Sequence, residues 1–336
     1  MPVRASRIVA RHRDSLRGSL ELRRLRSRSL GISKPYFVYE PPGLRALTGV
    51  PILYLFRGHQ REWVNMREDG TRLRSTAIED LDARIAAGTL PPFVAVMPGI
   101  ASVNNHVPSL GINMVGRWGV RTRGLGTGRF WDFLVGELLP TVEQRYEGVA
   151  GPRRFAAGFS LGGYTASLLA VKHPAYFTDV GIFDGLFMWP GHWDPRGGRV
   201  EGRGWRVEGQ AHDETHDETH DECSDPVWCR SPLFDAALGR PRDKQAMREW
   251  NATDALVGAD DETLAVLRQT SFFVASAPSD GKTGNVDRTS HFVHLLSERQ
   301  IPLTFGSIVF DAAALHSWHW ADRFLMGFLE SASASR

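Results

Sequence analysis

The chain has 336 residues, of which 42% are hydrophobic, 10% aromatic and 23% charged, the profile of a globular chain with one large domain or two modest ones. That size and composition exclude a stapled miniprotein, a fibrous repeat and a disordered chain, and no apolar run is long enough to span a membrane. The net charge of +2 conceals an asymmetry: the first thirty residues hold nine Arg against Asp14 and Glu21, a local +7, which leaves −5 for the rest. No further basic stripe supports that start, so neither a nucleic acid nor a membrane is expected as partner. Two cysteines, Cys223 and Cys229, suit a reducing compartment. The Arg-rich start lacks the apolar core of a secretory signal, and a cytoplasmic location is expected.

In chain order, residues 1–16 read as a basic tail. Imperfect alternation over 19–30 and the strand formers of Pro35 to Tyr39, stopped by Pro41-Pro42-Gly43, predict a leading pair of antiparallel strands. Short, nearly continuous apolar runs follow at 51–56, 92–97, 154–157, 180–183, 271–275 and 303–310. Runs of that kind belong to strands buried on both faces. Between them, 75–87 opens with the capping box Thr76-x-x-Glu79 and stops at Gly88, and 131–146 has helical periodicity with a kink expected at Pro140. A third helix is expected over 287–300. Strands alternating with helices predict an α/β fold with a mainly parallel sheet covered on both sides.

Two segments break the rhythm. The Gly-rich stretch 98–128 is long for a loop, and long loops are usually functional. Residues 189–250 form an insertion after a strand, where such folds place substrate-facing loops. The domain organisation is thus a tail over 1–16, one α/β domain over 17–330 carrying that insertion, and a short C-terminal tail over 331–336.

The sharpest chemical signal is Gly158-Phe159-Ser160-Leu161-Gly162-Gly163, with an apolar strand before it and a helix-compatible run after it. Glycines on both sides of the serine permit a tight strand-to-helix turn that lifts the hydroxyl clear of the backbone, with the helix N-terminus beneath a developing oxyanion. A serine needs a base, normally a histidine held by a carboxylate, and for this turn the chain order is serine, acid, histidine. His316, after the last strand, is the expected base; His291 and His294 lie on a helix, and His319 is the alternative. Asp280, on the loop after strand 271–275, is the expected acid, with Asp287 and Asp184 as alternatives. Two backbone donors complete the site, the amides of Leu161 and His59, the latter following strand 51–56.

These residues resemble the Putative esterase branch of the α/β-hydrolases, a family that includes S-formylglutathione hydrolase, feruloyl and enterochelin esterases and mycolyltransferases. The likeness runs from Ser29-Leu30-Gly31 through Tyr54-Leu55-Phe56-Arg57-Gly58, Glu137-Leu138-Leu139-Pro140, the Ser160 turn and His173-Pro174 to His316-Ser317-Trp318, over about residues 18–330. It implies an α/β-hydrolase fold with Ser160 as nucleophile, His316 as base, Asp280 as acid and the His59 and Leu161 amides as oxyanion hole. Arg57 stands where many members have His, and Phe183-Asp184-Gly185 replaces the usual small-residue end of that strand.

The expected function is hydrolysis of a small-molecule carboxylic ester through an acyl-serine, with no cofactor and no metal. An acyltransferase on the same residues is the rival enzyme. A binding protein is the rival from another class, responsive to metal through the repeat of His212, His216 and His220, whose four-residue spacing would align them on one helix face. Seven acids between Asp213 and Asp225 favour a solvated loop there instead. Trp189, Trp193, Trp205 and Trp228 could line a pocket or form the insertion's own core.

Overall fold

A computed structural model of the chain describes residues 2–119, 122–192, 225–278, 285–304 and 308–334. Among them the strands β1 (Ser19–Arg26), β2 (Ser33–Glu40), β3 (Val50–Phe56), β4 (Val94–Pro98), β5 (Ala150–Phe159), β6 (Asp179–Phe183) and β7 (Ser271–Ala275) form one sheet. Their order is β1-β2-β4-β3-β5-β6-β7. The β1–β2 hairpin is antiparallel and joins β4 antiparallel, whereas β4, β3, β5, β6 and β7 run parallel.

The apolar runs lack alternation because both sheet faces are covered. Ile52, Tyr54, Phe56, Val94, Val96, Val180 and Ile182 enter one core, and Leu53, Leu55, Ala95, Met97, Phe155, Phe159 and Phe183 the other. Residues 303–310 contribute less than a strand among the described residues: Leu303 bridges Phe272 and Val309 bridges Ser276, both parallel.

The helices follow their local signals. Thr76 and Glu79 form the reciprocal capping box that opens α2 (Ala77–Ala86). Helix α3 (130–146) runs through Pro140 by way of a π-helical turn at Leu134–Leu138. The wider turn accommodates the missing amide and the ring one turn later, where the sequence led to a kink. Helix α4 (Leu161–Lys172) is apolar all round and buried along its length. Helices α5 (Asn285–Glu298) and α6 (Trp318–Ala334) close the chain.

The two expected tails are not tails. Residues Pro2–Ser15 form helix α1, and Ile8, His12 and Leu16, spaced four apart, are buried in the second core. His12 Nε2 donates to the Val64 carbonyl at 2.8 Å. Arginines at the intervening positions obscured that apolar stripe in the sequence. At the other end α6 continues to Ala334, with Ala332 buried and its carbonyl accepting from Arg153 at 2.9 Å.

Of the insertion, residues 193–224 lie outside the described residues, and with them the His212–Glu222 repeat, Trp193, Trp205 and Cys223. Its described remainder reaches into the core: Trp228 is fully buried and donates to the Phe187 carbonyl at 3.1 Å, and Asp225 pairs with Arg288. Cys229 is disulfide-bonded. The long loop 98–128 is tied down by Lys34, whose Nζ donates to the carbonyls of Ala101 and Gly124, both at 2.8 Å. Among the described residues no helix is long and apolar enough to cross a membrane.

Candidate active site

Sheet register assembles the site. Phe159 of β5 pairs with Phe183 of β6, and Phe183 with Ala275 of β7. The next residue of each strand, Ser160, Asp184 and Ser276, therefore lies on one rung at the C-terminal edge. The rung is held by Ser160 N donating to the Phe183 carbonyl at 3.1 Å and Asp184 N to the Ala275 carbonyl at 2.7 Å.

Ser160 stands at φ 55°, ψ −116°, a region that a residue with a side chain enters at a cost of roughly 1–3 kcal/mol. The glycines around it make the turn possible. A Cβ on Gly162 would lie 2.0 Å from the Phe56 carbonyl oxygen, and one on Gly158 would lie 2.1 Å from the Gly162 oxygen. Strand β3, strand β5 and helix α4 thus pack backbone against backbone beneath the serine. The Leu161 amide, at the first turn of α4, donates to no described residue and is open to an anion.

His316 lies beside this turn, its ring centroid 4.7 Å from that of Phe159 and its side chain 35% exposed. Its Nδ1 is paired with Oδ2 of Asp184, which leaves Nε2 as the basic nitrogen. Asp184 is buried, accepts from Ser276 Oγ at 2.7 Å on Oδ1, and stands at φ 50°. The carboxylate against His316 is therefore the one on the rung, the alternative from strand β6. Asp280 lies outside the described residues. Among the described residues Ser160 Oγ has no hydrogen-bond partner, so the Ser160–His316 contact is not made in this structure. Asp287 lies on α5, as do His291 and His294, which pairs with Glu298 at 3.1 Å. His319 lies on α6, its ring against Trp320.

The loop after β3, expected to supply the second oxyanion donor, is already engaged. The His59 amide donates to Glu62 Oε2 at 2.5 Å, and the Gly58 amide to the same oxygen at 2.8 Å. Glu62 N donates to the His59 carbonyl at 3.1 Å, closing a single turn in which Glu62 makes one half of a capping box, its carboxylate on the His59 amide. The His59 imidazole is pushed down to about 4, first by burial and then by Arg61 and Lys34, and stays neutral at physiological pH. The sequence reading missed Glu62, although its spacing from His59 is the spacing that marked Thr76 and Glu79.

The family model described as "Putative esterase" matches residues 27–256. The chain belongs to this family. Family membership makes it a carboxylic ester hydrolase of the serine hydrolase type. Solved structures share the fold at low identity. A ferulic acid esterase is 21% identical with a TM-score of 0.61, covering 94% of this chain and 98% of its own. An S-formylglutathione hydrolase from Agrobacterium tumefaciens is 17% identical with a TM-score of 0.57, covering 95% and 96%. The fluorophosphonate-binding serine hydrolase FphF from Staphylococcus aureus is 16% identical with a TM-score of 0.55, covering 93% and 98%. These likenesses establish the α/β-hydrolase fold. No curated protein shows significant sequence similarity to the chain.

Proposed function

We propose that the protein hydrolyses small-molecule carboxylic esters through an acyl-serine on Ser160, with His316 as base and Asp184, in place of Asp280, as the acid. The observation that carries this reading is the rung: Asp184 follows the strand paired to the one that ends at Ser160, and its carboxylate holds His316 Nδ1.

Ser160 Oγ attacks the ester carbonyl while His316 Nε2 takes its proton. Asp184 fixes the tautomer and stabilises the imidazolium. The carbonyl oxygen becomes an anion over the N-terminus of α4, where the Leu161 amide donates, and the His59 amide is the second donor. Collapse returns the proton to the leaving alcohol. Water, deprotonated by His316, then attacks the acyl carbon, the bond from that carbon to Ser160 Oγ breaks, and His316 returns the proton to Oγ as the acid leaves. The Ser160–His316 hydrogen bond forms with substrate in place, as catalytic contacts that are long in a free enzyme tighten on binding.

The test is a panel of p-nitrophenyl esters together with labelling by a fluorophosphonate. Wild type hydrolyses short esters and is labelled, and Ser160→Ala does neither. An unlabelled, inert wild type, or a Ser160→Ala variant with full activity, overturns the reading. The panel also reads out acyl preference.

A further inference from the structure

The second oxyanion donor is occupied. Glu62 Oε2 takes both loop amides, Gly58 at 2.8 Å and His59 at 2.5 Å, and its side chain is 7% exposed. A carboxylate there supplies the negative charge that the tetrahedral intermediate would bring, so the two cannot share the His59 amide. A second observation concerns where the carboxylate could go. Arg57 Nε is buried with no hydrogen-bond partner and lies 3.8 Å from the other carboxylate oxygen, Oε1, close enough for a loose ion pair but too far for a hydrogen bond. Its guanidinium is held over the rings of Phe159 at 5.1 Å and Trp318 at 5.9 Å, the residue before Ser160 and the second after His316. Meanwhile the backbone of Glu62 is pinned: its carbonyl accepts from Arg72 Nη1 at 2.7 Å, and Arg72 Nε is bound to Asp322 at 2.6 Å. A side-chain rotation can therefore carry the carboxylate from the amides to Arg57 while the loop backbone stays in place.

We propose that Glu62 is a latch on the oxyanion hole: bound to the loop amides it holds the resting enzyme closed, and it opens the hole by moving onto Arg57 as substrate enters. This rests on Ser160 as nucleophile and the His59 amide as donor. In the closed state the amides are preorganised by an internal anion. In the open state Arg57 neutralises the displaced charge, which would otherwise oppose the oxyanion through a low-dielectric site.

The alternative is that Glu62 only builds the loop, and a double-mutant cycle separates the two. The rate of acylation by p-nitrophenyl acetate is measured for Glu62→Ala, Arg57→Met and the pair, with melting curves on each. A latch predicts acylation about tenfold faster in Glu62→Ala, slower than wild type in Arg57→Met, and as fast in the pair as in Glu62→Ala, because Arg57 then has nothing to receive. A folded Glu62→Ala that acylates at or below the wild-type rate overturns the latch. If Glu62→Ala fails to fold, Glu62→Gln decides: its neutral amide holds the loop more weakly, so faster acylation supports the latch and an unchanged or slower rate overturns it. Fluorophosphonate labelling of wild-type Ser160 keeps the outcomes distinct, since a labelled enzyme with an unaltered Glu62 variant loses only the latch.

Discussion

The two halves of the site are built by different means. The Ser160–Asp184–Ser276 rung hangs from three paired strands, so its geometry is a property of the whole sheet, whereas the 57–62 loop is closed by one of its own side chains. The rung carries its cost in backbone strain, with Ser160 and Asp184 both at positive φ and held there by bonds to neighbouring strands. The loop carries its own in charge, a buried carboxylate on the amides proposed to receive the oxyanion. One half cannot change without the sheet; the other can change by a single rotation.

The comparison is broken most directly at the acid. Asp184→Asn should lower kcat by roughly 10^4-fold with little change in melting temperature, because the amide can keep the shape of the rung but holds the wrong tautomer of His316. Asp280→Asn should leave kcat within a factor of about two. Steady-state kinetics on one activated ester checks both, and the reverse pattern would move the acid off the rung.

The next largest effect lies where the halves touch. Gly162→Ala places a methyl 2.0 Å from the Phe56 carbonyl, one residue before the oxyanion loop. Backbone cannot yield as a flexible side chain can, so the variant should lose about 3 kcal/mol or fail to fold. Gly148, around which a Cβ would meet nothing within 4 Å, is the control, and Gly148→Ala should unfold in urea within about 0.5 kcal/mol of wild type. A smaller change is expected on the rung itself: Ser276→Ala removes one hydrogen bond to Asp184 and should lower kcat about tenfold at constant KM.

How far the sequence reveals this architecture follows from the range of the interactions. Ser160 is legible because glycine spacing is local, and His316 because the order of serine and histidine is fixed by the fold. The parallel strands are legible because burial on both faces writes itself as a continuous apolar run. Asp184 and Asp280 both follow apolar runs in the sequence, and only the pairing of Phe159 with Phe183, residues twenty-four apart in the chain, puts Asp184 beside Ser160. Helix α1 was hidden because, among the described residues, the buried Ile8 and His12, with Leu16 just after the helix, are interspersed with arginines. Glu62 is three residues from His59, but on a single turn with no long helix behind it that spacing carries little signal.

The smallest effect starts from the loop. His59 is held neutral, its imidazole pushed down to about 4, and His291 on α5 is pushed down to about 4 as well, chiefly by burial. In the unfolded chain both titrate near 6.5. Below that value the unfolded state binds protons that the folded state refuses, so stability falls as pH drops from about 6.5 to about 4. It is level again below the folded value and fully present above the unfolded one. Each imidazole contributes a slope of at most about 1.4 kcal/mol per pH unit. Urea unfolding at several pH values across this window should show the loss, and His59→Gln should remove one proton's share of the slope while leaving that of His291. If His59→Gln leaves the slope unchanged, the imidazole beside the latch is reached by solvent and takes up its proton in the folded state. The loop proposed to form half of the oxyanion hole would then already be open at the imidazole that shares its turn with Glu62, and the contrast with the sheet-held rung would be larger than the resting geometry shows.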